Sequence, residues 1–293
     1  MKIAFIVQRY GAEVLGGSEH LCRLLGERLA PQHDVEVLTT CARDYITWKN
    51  DYPEGSDRIR GVVVRRFANA LTRDFDAFNR YAEWIYTHPH NRADEMEWLK
   101  QQGPWCPSLI EHLRRHHQQY DVLIFFTYLY APTVLGLEIA PSRSVLVSTA
   151  HDEPAIRLEI FQDVFSRPAA LCYLTESERR FVTEQFSERP FLEEVTGVGV
   201  DPPQNQPYPR MPPAADEDTA PTADGSEGAA AAASEDDRLS RGVPSHLLAR
   251  GAVFRRRHVA GKLRVRLQPL RKVRLNPHEA PSRTLCLFRG HFD

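Results

Sequence analysis

From Lys2 to Asp201, short apolar runs alternate with amphipathic ones. "KIAFIVQ" (2–8) is a continuous run of β-formers, the pattern of a strand buried on both faces of a parallel sheet. A glycine-containing loop follows. Leu21, Leu24, Leu25 and Leu29 then fall on one face of a predicted helix that Pro31 ends, with Ser18 as its expected N-cap. "HDVEVLTTC" (33–41) and "GVVVRRFA" (61–68) read as the second and third strands, joined by a loop containing "YITWKNDYPEG". Residues 69–119 are mostly polar with helical periodicity and carry Trp84, Trp98 and Trp105. Further strands are expected in "DVLIFFTYLY" (121–130), "SVLVSTAHDEP" (144–154) and "ALCYLTE" (170–176), then a short helix "SERRFVTEQF" and a last strand in "LEEVTGVGVD" (192–201). Six or seven strands joined by helices predict an α/β, Rossmann-like, doubly wound parallel sheet, because parallel neighbours need crossover connections.

After Asp201 the pattern stops. Residues 202–240 are rich in proline, alanine and acid without apolar periodicity, the composition of a linker or a disordered segment. Residues 241–293 form a basic, proline-interrupted stretch that should not be an independent domain. The two charges nearly cancel, which is why the 293-residue chain has a formal net charge of only -2. That balance argues against a polyanion-binding protein as a whole. The arginines and lysines from Arg255 to Arg274 leave peripheral contact with an anionic membrane surface as a minor alternative. Their interleaved prolines and lack of stacking aromatics argue against specific nucleic-acid binding. The five cysteines (Cys22, Cys41, Cys106, Cys172 and Cys286) are scattered with no Cys-x-x-Cys, which predicts neither a zinc site nor a disulfide framework and suits a reducing cytoplasm. No stretch approaches the ~20 apolar residues of a membrane span.

Two segments carry candidate chemistry. In "VLGGSEH" (14–20), Gly16 and Gly17 sit where a strand, a turn and a helix N-terminus meet; free backbone N–H groups and the helix dipole make such a place an anion site. The competing explanation is that the glycines only shape a tight turn. Neither G-x-x-x-x-G-K-[ST] nor G-x-G-x-x-G is present, which argues against a nucleotide P-loop and a dinucleotide fingerprint. In "STAHDEP" (148–154), His151, Asp152 and Glu153 lie just past a predicted strand end, the edge where open α/β sheets bind ligands. A histidine there can bond a sugar hydroxyl or move a proton, and its carboxylate neighbours can fix its tautomer or bind hydroxyls themselves. A solvated loop with a helix-capping Asp is the alternative. Thr127 and Tyr128 end the preceding strand at the same edge. "DFD" (74–76) sits in a helical polar stretch, so it reads as a solvated helix face and not as an Asp-x-Asp metal motif.

Together "MKIAFIVQRYGAEVLGGSEHLCRLLGERLA", "VEVLTTCARDYITWKNDYPEG", "YDVLIFFTYLYAPTVLGL" and "VLVSTAHDEP" resemble the N-terminal, acceptor-side half of a GT-B glycosyltransferase of family four, over residues 1–201. The resemblance implies a cytoplasmic retaining enzyme that uses a nucleotide sugar as donor, a glycan or lipid-linked acceptor, and no cofactor or obligatory metal. It places Gly16 and Gly17 against the donor diphosphate with Ser18 and Glu19 beside them. It also places His151 near the reacting sugar as the catalytic residue, with Asp152 adjacent; Thr127, Tyr128 and Glu153 are expected on substrate from their strand-end positions. The family's second domain carries an Arg/Lys pair for the diphosphate and two glutamates eight positions apart; neither follows Asp201, while Glu19 and Glu27 have that spacing only on the first helix. The expectation is a chain of impaired transferase activity, truncated or frameshifted from about Val259. The alternative is a non-catalytic sugar- or nucleotide-binding module. Re-reading the coding DNA beyond that point in the other two frames should reveal the Arg/Lys segment and the paired glutamates; their absence from both frames removes the frameshift explanation.

Overall fold

The computed structural model describes residues 1–199. The predicted linker (202–240) and basic tail (241–293), with Cys286, lie outside the described residues. Eight strands form one sheet: β1 (Lys2–Ile6), β2 (Asp34–Thr40), β3 (Gly55–Ile59), β4 (Val62–Phe67), β5 (Val122–Phe126), β6 (Ser144–Val147), β7 (Ala170–Tyr173) and β8 (Leu192–Val195). The helices are α1 (Gly17–Leu29), α2 (Phe75–Thr87), α3 (Arg92–Gln102), α4 (Pro107–His116), α5 (Ala131–Gly136), α6 (Ile160–Ser166) and α7 (Glu176–Gln185).

The strand order is β3-β4-β2-β1-β5-β6-β7-β8, and every pairing is parallel except β3 with β4. The fold is therefore an α/β, Rossmann-like sheet, but a mixed one. The expected all-parallel sheet is corrected at one edge: the chain after "YITWKNDYPEG" forms β3, which turns through Arg60 and Gly61 (φ 47° and 89°) into β4. Four of the five β3 residues are exposed, so the strand carries no apolar alternation by which sequence periodicity could reveal it.

Pleating sorts the central strands between two cores. Ile3, Phe5 and Val7, with Val35 and Val37, pack towards α1 through Leu21 and Cys22. Ala4, Ile6 and Leu38 face the other layer, where α2 (Phe78, Ile85), α3 (Trp98, Leu99), α4 (Leu109, Leu113) and α6 (Phe161, Phe165) bury their apolar faces. Asp74 caps α2 by accepting from Ala77 N, so "DFD" is a helix start, and Asn91 and Asp94 close a capping box on α3. The carboxylate of buried Glu95 on α3 accepts from Glu159 N and Ile160 N (both 2.8 Å) and so caps the first turn of α6 from outside. The order reverses at β1, whose flanking strands β2 and β5 lead away in opposite directions. This is the switch point at which such sheets leave a crevice beyond the carboxyl ends of their strands. Among the described residues, no helix is long and apolar enough to cross a membrane, and Cys22, Cys41, Cys106 and Cys172 are buried and free.

One packing contact has a pH signature. His112 on α4 lies against Phe67 and His116, with ring centroids 5.0 and 4.5 Å away. Burial first, then the charges of His116 and Arg65, lower its pKa from 6.5 to about 4, with Glu36 acting in the opposite sense and Lys2 in the same. The unfolded chain takes up this proton near 6.5 and the folded chain resists it. Its stabilising contribution is full above that pH and lost as the pH falls towards 4. His112→Phe should flatten the fall in urea-unfolding stability across that window; an unchanged slope would assign the acid sensitivity to other groups.

Candidate functional site

The loops after β1, β5 and β6 enclose a cavity of about 310 Å3 at the switch point. Gly16, Ser18 and Glu19 line it from the start of α1, Thr127 and Tyr128 from the end of β5, and His151 and Glu153 from the loop after β6. Three sequence-predicted segments thus meet in one place. Gly17 and Asp152 lie outside the lining: Gly17 is exposed with open space about it, and Asp152 pairs with Arg157 at 2.6 Å.

The inner wall is an ion pair. Arg9, just past β1, donates to Glu19 Oε1 through Nε (2.9 Å) and Nη2 (2.5 Å), and both residues are buried. The same guanidinium donates to the carbonyls of Leu15 (3.1 Å) and Arg43 (2.9 Å) and lies over the Tyr45 ring. Gln8 Nε2 adds a bond to Glu19 Oε1 (2.9 Å), and Ser18 Oγ donates to Oε2 (3.0 Å). Each charge is therefore met by its counter-ion and by further hydrogen bonds, which a buried pair requires.

This corrects the expected cap. Gly16, not Ser18, occupies the N-cap position of α1, without a side-chain cap; Ser18 is inside the first turn and bonded to Glu19. The two adjacent glycines have different reasons. Gly16 has φ +156°, and a Cβ there would overlap the Glu19 carboxylate, whereas a Cβ on Gly17 meets nothing. The positive end of α1 already faces the Glu19 carboxylate, whose charge Arg9 offsets.

The opposite wall starts from strained backbone. Thr127 and Thr149, one and two residues beyond β5 and β6, have φ of 69° and 50°. β-branched residues rarely adopt this region, which costs about 1–3 kcal/mol and concentrates at functional sites. Their hydroxyls bond each other (3.1 Å), and the strand pairing continues through Thr127 N to Val147 O and Tyr128 N to Ser148 O. Buried Glu178 on α7 ties this edge down, accepting from Ser148 Oγ (2.6 Å), Ala150 N (2.8 Å) and Leu174 N (2.7 Å).

Tyr128 is fully buried, and its hydroxyl donates to Glu153 Oε1. Burial first, then the Glu153 charge, raises the phenol pKa far above its ordinary value, so the phenol remains a donor. His151 is exposed. Its Nε2 stands 3.5 Å from Glu153 Oε1 and its Nδ1 3.4 Å from the Thr149 carbonyl, so both ring nitrogens face acceptors. Glu153, not Asp152, is thus the carboxylate beside the imidazole.

Gln8, Arg9, Leu15, Tyr45, Leu129, Tyr130 and Thr149 complete the lining and were not singled out from the sequence. Burial and then the Glu19 charge push the Tyr130 phenol up to about 12. The strand-end rule could have found Gln8 and Arg9, two and three residues past β1. Among the described residues, no three His, Cys, Asp or Glu side chains are grouped to hold a metal ion.

No protein-family model and no curated protein sequence matches the chain. Solved structures similar to it include sucrose-phosphate synthase from Thermosynechococcus elongatus, at 13% identity and TM-score 0.44, covering 68% of this chain and 48% of that one. An alpha,alpha-trehalose-phosphate synthase (UDP-forming) from Burkholderia vietnamiensis matches at 11% identity and TM-score 0.43, covering 68% and 49%. An alpha,alpha-trehalose 6-phosphate synthase from Burkholderia multivorans matches at 12% identity and TM-score 0.43, covering 68% and 50%. The chain spans about half the length of these structures.

The unequal glycines give a paired test. Gly16→Ala should destabilise the protein by roughly 2 kcal/mol through strained backbone and a displaced Glu19. Gly17→Ala, in the first turn of α1, should change stability by less than about 0.5 kcal/mol or raise it slightly. Thermal unfolding of the two variants measures both, and equal effects would contradict the role given to Glu19.

Proposed function

We propose that this chain is a glycosyltransferase of the retaining, nucleotide-sugar-dependent kind, and that residues 1–201 are the acceptor-side half of a GT-B architecture. The observation that carries the proposal is the meeting of three strand ends in one polar crevice at the switch point. That crevice is walled by backbone-strained threonines, a histidine and a carboxylate. These are groups for hydroxyls and protons. In the proposed reaction His151 contacts the sugar near the bond that breaks, Glu153 orients the imidazole or accepts a hydroxyl, and Thr127 and Thr149 bond further hydroxyls. Tyr128 holds Glu153 from below. Gly16 and Ser18 stand beside the phosphate-bearing part of the donor, at a helix start that already faces the Glu19 carboxylate.

Departure of a nucleoside diphosphate needs positive charge where negative charge develops, usually the largest single contribution to such catalysis. Arg9 is the one arginine or lysine among the described residues lining the crevice, and Glu19 already neutralises it. Diphosphate stabilisation therefore has to come from elsewhere. That observation favours a second reading as well: a module that recognises sugar or nucleotide without turning it over.

Calorimetric titration with UDP-glucose, GDP-mannose and the free nucleotides, paired with mass-spectrometric detection of transferred sugar, separates the two. The proposal expects binding that His151→Ala weakens roughly tenfold, equivalent to about 1.4 kcal/mol. Transferred product selects the enzyme, and binding without product selects the module. No binding of any nucleotide or nucleotide sugar overturns both.

A further inference from the structure

A second cavity, of about 320 Å3, opens beside the crevice where the α3 end meets the chain before α2. Its floor is rigid. Trp48 is buried, and its indole N–H donates to the Gln102 carbonyl (2.7 Å). The Arg73 guanidinium lies over the Trp48 ring at 5.3 Å and donates to the carbonyls of Tyr45, Ile46 and Gln102 and to Gln102 Oε1, so four oxygens fix it in place. One wall is Trp105, which is half-buried, packs partly against the core and lines the cavity. Glu97, Lys100 and Gln101 on α3 form the rim; Gln101 Nε2 bonds Glu97 Oε1 at 3.0 Å, and Lys100 Nζ stands 3.8 Å from Glu97 Oε2.

The lining combines a flat aromatic surface with hydrogen-bonding groups of both signs. Arg73 and Lys100 are balanced by Asp74 and Glu97, so the cavity has no net preference for an ion. An uncharged ligand with an apolar ring face and a hydroxylated edge meets both requirements, and the volume falls in the usual range for small-molecule sites, about 300–1,000 Å3. The cavity also adjoins the first. Tyr45 lines the crevice and lies against Arg9, while Trp48, three residues on, lines the second cavity and meets Tyr130 of the crevice edge-on at 5.4 Å.

We propose that this second cavity is a carbohydrate subsite that holds a pyranose ring of an oligosaccharide whose neighbouring unit occupies the crevice, with Trp105 as the stacking surface. The proposal rests on the glycosyltransferase reading and names its acceptor class, a neutral glycan of at least two units. Trp105 makes chain length count.

The full chain would be screened on a printed array of mono- to hexasaccharides. The best-bound oligosaccharide and its terminal monosaccharide would then be titrated by intrinsic fluorescence and calorimetry. Trp105→Ala should weaken the oligosaccharide about tenfold, the loss of one aromatic contact, and leave the monosaccharide unchanged, while Trp105→Phe should retain most of the affinity. The double variant Glu97→Ala/Lys100→Ala removes rim partners without touching the core, so its selective loss of oligosaccharide supports the subsite even if Trp105→Ala misfolds. Undiminished oligosaccharide binding by folded Trp105→Ala and by the double variant overturns it. So does an array that retains no glycan: if nucleotide sugars still bind, the subsite alone fails, and if they do not, the glycosyltransferase reading fails with it.

Discussion

The crevice depends on the burial of Arg9 against Glu19. Removing two charges from water costs several kcal/mol each unless every donor and lone pair is met inside. Here the cost is offset by drawing four chain segments to one point: the end of β1, the loop before α1, the first turn of α1 and the loop after β2. The position of the glycine turn follows from this. Gly16 lacks a side chain because the Glu19 carboxylate occupies the space a Cβ would need; Arg9 holds the carbonyl of exposed Leu15 and lies over the ring of exposed Tyr45, whose own carbonyl is held by Arg73. Fold and site are one packing problem at this corner.

The other side of the crevice uses a different device. Thr127 and Thr149 turn the chain sharply out of β5 and β6, and Glu178 gathers the backbone beneath them. Strain above and a satisfied carboxylate below give a well-tied rim, on which His151 is the more exposed element. Rigidity of this kind lets a binding group meet a ligand without paying for loop ordering.

How much the sequence disclosed follows the same physics. β1, β2, β5 and β6 are buried on both faces, and continuous apolar runs such as "VLIFF" mark them without ambiguity. β3 gave no signal because an exposed edge strand has no inside to alternate with. Gly16, Ser18, Glu19, Thr127, Tyr128, His151 and Glu153 could be proposed from strand ends and one glycine pair, and the structure brings them together. The division of labour within that group was not legible. Which carboxylate meets His151, and which glycine is constrained, depends on side-chain directions that short-range spacing does not encode. Trp48, Arg73 and Trp105 were hidden for another reason: their cavity is assembled across three separate segments, each of which reads alone as a polar loop or an ordinary helix.

The antiparallel hairpin of β3 and β4 turns at Arg60 and Gly61, at the end of the sheet opposite the carboxyl ends that bear the crevice. Its tip is a tight, solvent-facing reversal with polar flanks, and it is remote in the fold from both cavities. A fluorophore, affinity handle or surface tether attached there would orient the sheet with the carboxyl ends of its strands, and the crevice beyond them, outward.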